Sequence, residues 1–145
     1  MANSRKGNAS AARPGKPTAI SVMIVEDVDE MRSMCENLLQ GADGIRVTST
    51  AASAAEARLL LSRKRPEVVL LDEILPGESS VDLLLECVAG GIVVILMTGV
   101  ANPTHAIPPE AFSRIAKPGW KSLEEDKKRI SAEIHKAIDL SISRC

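Results

Sequence analysis

The 145-residue sequence is nearly devoid of aromatic side chains: Phe112 and Trp120 stand alone, and tyrosine is absent. A surface that reads single-stranded nucleic acid by stacking bases on rings has little to be made from here. The core must instead be aliphatic. No run of about 18 apolar residues exists, so no membrane span is expected. The N-terminus lacks the apolar stretch of a secretory signal. The three cysteines, Cys35, Cys87 and Cys145, share no metal-ligand spacing and read as free thiols in a reducing compartment, so a cytoplasmic protein is expected. Acid is missing from residues 1–18, which hold Arg5, Lys6, Arg13 and Lys16 and leave 14 bases against 19 acids elsewhere. That stretch, rich in Ala, Ser, Gly, Asn and Pro, reads as a disordered basic tail, with one ordered domain over 19–145.

What is present is apolar and periodic. Hydrophobic residues make up 45% of the chain, enough for one core at this length. Ile20 to Val25 reads as a buried strand ending at Glu26 and Asp27. Met31, Met34, Cys35, Leu38 and Leu39 then form one helical stripe that stops at Gly41 and Gly44. Ile45 to Thr50 is a second strand. Ser53 and Glu56 make a capping box for a helix carrying Ala57, Leu60 and Leu61, which ends before Pro66. Glu67 to Leu71 is a third strand, ending at Asp72. Ser79 caps the next helix, with Val81, Leu84, Leu85 and Val88 as its expected buried stripe. Ile92 to Met97 is a fourth strand ending at Thr98. Pro103, Pro108 and Pro109 argue against a long helix over 99–111. Ser113 to Ala116 is a short strand ending at Lys117. Ser122 and Glu125 open a last helix lined by Ile130, Ile134, Ala137, Ile138 and Ile142, with Glu124–Lys128 and Glu125–Arg129 pairs on its outer side.

Strands alternating with helices imply a parallel sheet covered on both faces. The expected fold is α/β, doubly wound, with five strands in the flavodoxin-like order 2-1-3-4-5 and the fourth helix short or missing. In such a sheet ligands bind beyond the carboxyl ends of the strands. Four of the five strands end there in a reactive group: Glu26 and Asp27, Asp72, Thr98, and Lys117. With neighbouring strands about 4.8 Å apart, the groups flanking Asp72 lie within a small ligand's width of it. Crowded carboxylates ask for a divalent cation, and Mg²⁺ suits them. Asp72 can then act as a nucleophile toward phosphorus, with Lys117 and the Thr98 hydroxyl neutralising phosphoryl oxygens.

The stretches Val22–Glu30 (VMIVEDVDE), Val68–Gly77 (VVLLDEILPG), Val93–Gly99 (VVILMTG) and Arg114–Gly119 (RIAKPG) resemble the motif regions of two-component response-regulator receiver domains. The resemblance covers about residues 19–142. It implies that Glu26 and Asp27 are the acidic pair, Asp72 the phosphoacceptor, Thr98 the switch hydroxyl and Lys117 the family's lysine. It also implies that the Ile74 backbone carbonyl joins Glu26, Asp27 and Asp72 as a metal ligand. The phosphodonor would be a sensor histidine kinase or a phosphotransfer protein. The chain reads as a single-domain regulator, with no direct DNA binding, compatible with a homodimer, and modifying only itself. Three departures stand out. Arg114 occupies a place often aromatic, the prolines erode the fourth helix, and Ile74 and Val100 are apolar where relatives are often polar. The last of these predicts slow loss of phosphate.

Each of these groups also has a blander reading. Asp27 and Asp72 taken singly are ordinary helix caps, and Thr98 alone is a turn residue. Glu73 is a rival nucleophile, but strand alternation turns it away from Asp72. His105 and His135 read as surface residues without a metal partner. Trp120, just past Lys117, is a candidate fluorescence reporter. Among competing functions, a phosphorylation-independent interaction module remains the alternative. A phosphatase would want a second Asp two residues after the first, where Ile74 stands. A flavin site would want a Ser-, Thr- and Gly-rich loop after the first strand.

Overall fold

A computed structural model describes residues 19–100, 103, 105–119 and 122–143. The basic tail of residues 1–18, Trp120, Cys145 and the side chain of Ile142 lie outside the described residues. The elements are β1 (Ile20–Val25), α1 (Asp29–Gln40), β2 (Ile45–Ala51), α2 (Ala54–Arg63), β3 (Val68–Asp72), α3 (Ser80–Ala89), β4 (Val93–Thr98), β5 (Ser113–Ala116) and α4 (Leu123–Ser143). The strands form one sheet in the order β2-β1-β3-β4-β5, and every pairing is parallel. The expected fold is therefore observed. No helix links β4 to β5 among the described residues. That link was expected to be short or missing, and the helix labelled α4 is the last helix expected after the fifth strand.

Strand alternation explains the two-sided core. Val22, Ile24, Val68, Leu70, Ile95 and Met97 face one side, where Cys35, Leu38 and Leu39 of α1 and Ile130, Ile134, Ala137 and Ile138 of α4 cover them. Met23, Val25, Val69, Leu71, Val94 and Leu96 face the other, against Ala54 and Ala57 of α2 and Leu83, Leu84 and Cys87 of α3. The central strands are apolar on both faces because both faces are covered. Burial also pushes the Cys35 thiol up to about 12 and that of Cys87 up to about 11, so both sulfurs stay protonated.

Helix starts follow their caps. Ser53 accepts the Glu56 N–H, Ser79 that of Asp82 and Ser122 that of Glu125. The returning Glu56 carboxylate takes the Ala52 N–H at 2.7 Å, one residue earlier than a standard capping box. Glu78, from the loop after β3, accepts the Ala54 and Ala55 N–H groups at the start of α2, which fastens that loop to a helix dipole.

Two expectations need correction. In α3 the buried stripe is Ser80, Leu83, Leu84 and Cys87, while Val81 and Leu85 are exposed and Val88 is partly buried. The run Val81–Leu85 is apolar at four of five positions, so periodicity alone offers two competing faces. On α4, Arg129 pairs with Asp126 at 3.0 Å, three residues back, rather than with Glu125.

Candidate functional site

The parallel sheet delivers the predicted residues to one end. β1 stops at Val25, so Glu26 and Asp27 emerge beside Asp72, the last residue of β3. Asp72 pairs in register with Met97, which puts Thr98 one step further along β4, and Thr98 pairs with Ala116, which precedes Lys117. Glu26, Asp27 and Asp72 each offer a carboxylate oxygen, and those oxygens lie within 4.8 Å of one another. The Lys117 ammonium stands 2.8 Å from Glu26 Oε1 and 3.2 Å from Asp72 Oδ2.

The burial of these groups is severe for charged residues. Glu26 is fully buried and Asp72 only 3% exposed. Burial pushes the Asp72 carboxyl up to about 6; the Ile74 N–H and Lys117 pull it down, Glu26 pushes it up, and burial wins. For Lys117, burial disfavours the ammonium, but the hydrogen bond and charge offered by Glu26 and the charge of Asp72 outweigh it, so its pKa is raised. Glu26 Oε2 accepts the Val28 N–H at 3.0 Å. Its buried partner Oε1 accepts no hydrogen bond of good geometry, although Lys117 stands close by. Three crowded carboxylates that share a single ammonium are a donor set that fits a hard divalent cation.

The remaining expected residues are also at this end. Ile74 donates its N–H to Asp72 Oδ1 at 3.1 Å, which puts its backbone beside the carboxylate. Ile74 is 65% exposed and Val100 48% exposed, so two apolar residues stand in solvent at the rim. The Thr98 hydroxyl, buried, accepts the Val100 N–H at 3.1 Å.

Two constellations escaped the reading of the sequence. Glu73 turns away from Asp72, as strand alternation requires, and its carboxylate accepts hydrogen bonds from Arg114 Nε at 2.9 Å and Arg114 Nη2 at 2.5 Å. His105 Nε2 lies 2.7 Å from the same carboxylate. Arg114 also reaches the His105 and Ala106 carbonyls. It thereby holds the proline-bearing segment against β5. Burial raises the Glu73 pKa, but the hydrogen bonds from Arg114 and His105 more than offset it, and the net shift is downward. The second constellation joins Asp126, Arg129 and the turn at Lys117–Gly119. In both cases the partners are far apart in sequence or look like ordinary helix-surface charges, so only an arginine inside a four-residue strand gave a signal.

Comparison with known proteins agrees with the fold. The sequence pattern of the response regulator receiver domain matches residues 22–125. The chain is 29% identical over 122 residues to a protein-glutamate methylesterase/protein-glutamine glutaminase of Syntrophomonas wolfei, covering 79% of this chain and 35% of that protein. It spans less than half the length of the curated relatives it matches. Among solved structures, the response regulator domain of Thermotoga maritima CheB superposes with a TM-score of 0.70 at 22% identity, over 83% of this chain and 97% of that one. A complex of the CheA3 P1 domain with CheY6 from R. sphaeroides gives 0.74 at 21% identity, over 85% and 99%.

Proposed function

The chain belongs to the response regulator receiver domain family, and from that premise we propose that it is a phosphorylation-dependent regulator in which Asp72 accepts a phosphoryl group from a histidine kinase or phosphotransfer protein. One observation carries this reading: a buried carboxylate, held 3.2 Å from a lysine ammonium, shares its crevice with two further acids. Ion pairing alone does not account for three acids against one lysine.

In the proposed reaction an oxygen of Asp72 attacks phosphorus, an acyl phosphate bond forms, and the phosphorus–nitrogen bond to the donor imidazole breaks. Glu26, Asp27, Asp72 and the Ile74 carbonyl would hold Mg²⁺, which when bound neutralises charge on the phosphoryl oxygens. Lys117, 3.2 Å from Asp72 Oδ2, supplies a second positive charge. The Thr98 hydroxyl is free to exchange the Val100 N–H for a phosphoryl oxygen, to which it can donate. Ile74 and Val100 flank the acceptor with apolar surface and hinder an attacking water, so the phosphoryl group is lost slowly.

The test is direct. The full chain, incubated with Mg²⁺ and acetyl phosphate, gains the mass of one phosphoryl group, and Asp72→Asn does not. Labelling of Asp72→Asn at the wild-type rate overturns the assignment. Replacing Ile74 and Val100 with polar residues shortens the phosphoryl lifetime. One observation favours the alternative of a phosphorylation-independent module: Arg114, bound to Glu73 and two carbonyls, fastens the segment before β5 without reference to Asp72. A partner that binds wild type and Asp72→Asn equally would support it.

A further inference from the structure

Lys117 starts two strands away from Asp72 in the sheet order β2-β1-β3-β4-β5, so its stem must cross about 10 Å of sheet edge. Where its ammonium arrives depends on how its backbone is held. The Lys117 N–H donates to the Thr98 carbonyl at 2.9 Å, the last rung between β4 and β5. Beyond it the ladder has ended. Pro118 has no N–H to offer, and Gly119 turns with φ at 113°, a conformation other residues rarely adopt. The backbone groups of such a turn are left to water or to side chains, and α4 supplies two partners. The Gly119 N–H donates to Asp126 Oδ2 at 2.8 Å, and Arg129 Nη2 donates to the Lys117 carbonyl at 3.2 Å. The same arginine grips Asp126 Oδ1, with Nε at 3.1 Å and Nη2 at 3.0 Å.

Asp126 is fully buried, a costly place for a carboxylate unless its hydrogen bonds are complete. It is not spent on starting the helix, because Ser122 already accepts the Glu125 N–H through its hydroxyl and the Asp126 N–H through its carbonyl. Its two oxygens serve Gly119 and Arg129, one on each side of the turn. We propose that Asp126 and Arg129 are a positioning pair: lying one turn apart on α4, they clamp the Lys117–Gly119 turn and so aim the Lys117 ammonium at Asp72 and Glu26. Neither touches the reacting atoms. The proposal rests on the reading of Asp72 and Lys117 as the phosphorylation pair.

Arg129→Lys, Arg129→Gln and Asp126→Asn, each in the full chain, test it through two readouts. The first is acylation of lysines by an amine-reactive ester, mapped by mass spectrometry. In wild type Lys117, only 15% exposed, reacts slowly. In the variants it reacts several-fold faster, while exposed Lys128 and Lys136 on the same helix are unchanged. The second is labelling with Mg²⁺ and saturating acetyl phosphate: the maximal rate falls about tenfold, with a much smaller change in the KM for the donor. Arg129→Lys keeps the charge but lacks the fork that reaches two acceptors, so it falls nearly as far as Arg129→Gln. Arg129 is partly exposed, which keeps its variants foldable should Asp126→Asn collapse. Folded Arg129 variants with wild-type Lys117 acylation and wild-type labelling overturn the proposal. If wild type itself takes no label, the phosphorylation reading fails, and the acylation rates still decide whether the pair positions Lys117.

Discussion

Asp72 and Glu73 are adjacent acids at the end of one strand, and their surroundings differ in kind. Asp72 shares a buried crevice with Glu26, Asp27 and one lysine, and its carboxyl is pushed up to about 6, chiefly by burial. Glu73, on the other face, overcomes its burial through a two-pronged arginine and a histidine, and its pKa is lowered. One charge is left in need of a ligand and the other is satisfied by the protein. The difference teaches where chemistry and where stability reside: a folded chain has no structural reason to crowd three carboxylates around one ammonium, whereas the Glu73 cluster closes on itself.

The largest effect that would break this comparison is expected at the satisfied side. Arg114 and Glu73 have side chains only 8% and 11% exposed. Arg114→Met keeps the apolar stem but strands the carboxylate, and should cost about 3 kcal/mol of unfolding free energy in urea titrations. Because the Glu73 pKa is lowered from 4.5 in the fold, its pairing stabilises above that value and is lost as pH falls through the lowered one. The deficit of Arg114→Met should therefore shrink in acid. A constant deficit at all pH values would mean that packing, not charge, holds Arg114. Phosphoryl labelling of Asp72 should survive in this variant.

At the frustrated side the sign reverses. The Asp72 pKa is raised from 3.8 to about 6, so its contribution to stability is complete below 3.8 and is lost as pH rises through about 6. Asp72→Asn removes the ionisation that costs stability at neutral pH. With divalent cations chelated, the variant should be more stable than wild type by roughly 2 kcal/mol at neutral pH, and the gain should vanish in acid. A destabilised Asp72→Asn protein would show that the carboxylate is a structural partner of Lys117 and that the crevice is not strained.

How much of this was legible beforehand follows from the range of each signal. The strands and five of the six predicted site groups could be read because each depends on local pattern, an apolar run and then a polar side chain at its carboxyl end, whereas the sheet order leaned on the family's known topology. The Ile74 carbonyl came from family resemblance instead. The Glu73–Arg114 pair spans 41 positions and leaves no local trace. Asp126 resembles any acid in a first helical turn, where the dipole favours it, and only its burial and its bond to the Gly119 N–H mark it out. The α3 face was misread because a helix apolar nearly all round does not say which side meets the sheet.

The smallest expected effect sharpens the comparison most, since it asks the crevice for its ligand. A cation that binds only the folded protein stabilises it in proportion to the logarithm of one plus the ratio of its concentration to its dissociation constant, about 1–2 kcal/mol when that ratio is roughly ten. Protons and Mg²⁺ compete for the carboxylate oxygens of Asp72. With Asp72 half protonated near pH 6, the Mg²⁺-induced rise in melting temperature should be full at about pH 7.5 and largely gone at about pH 5. Arg114→Met should retain this increment, because Glu73 lies on the other face, and Asp72→Asn should lose most of it. An increment that ignores pH, or one that Asp72→Asn keeps, would place the cation elsewhere and remove the contrast between the two neighbouring acids.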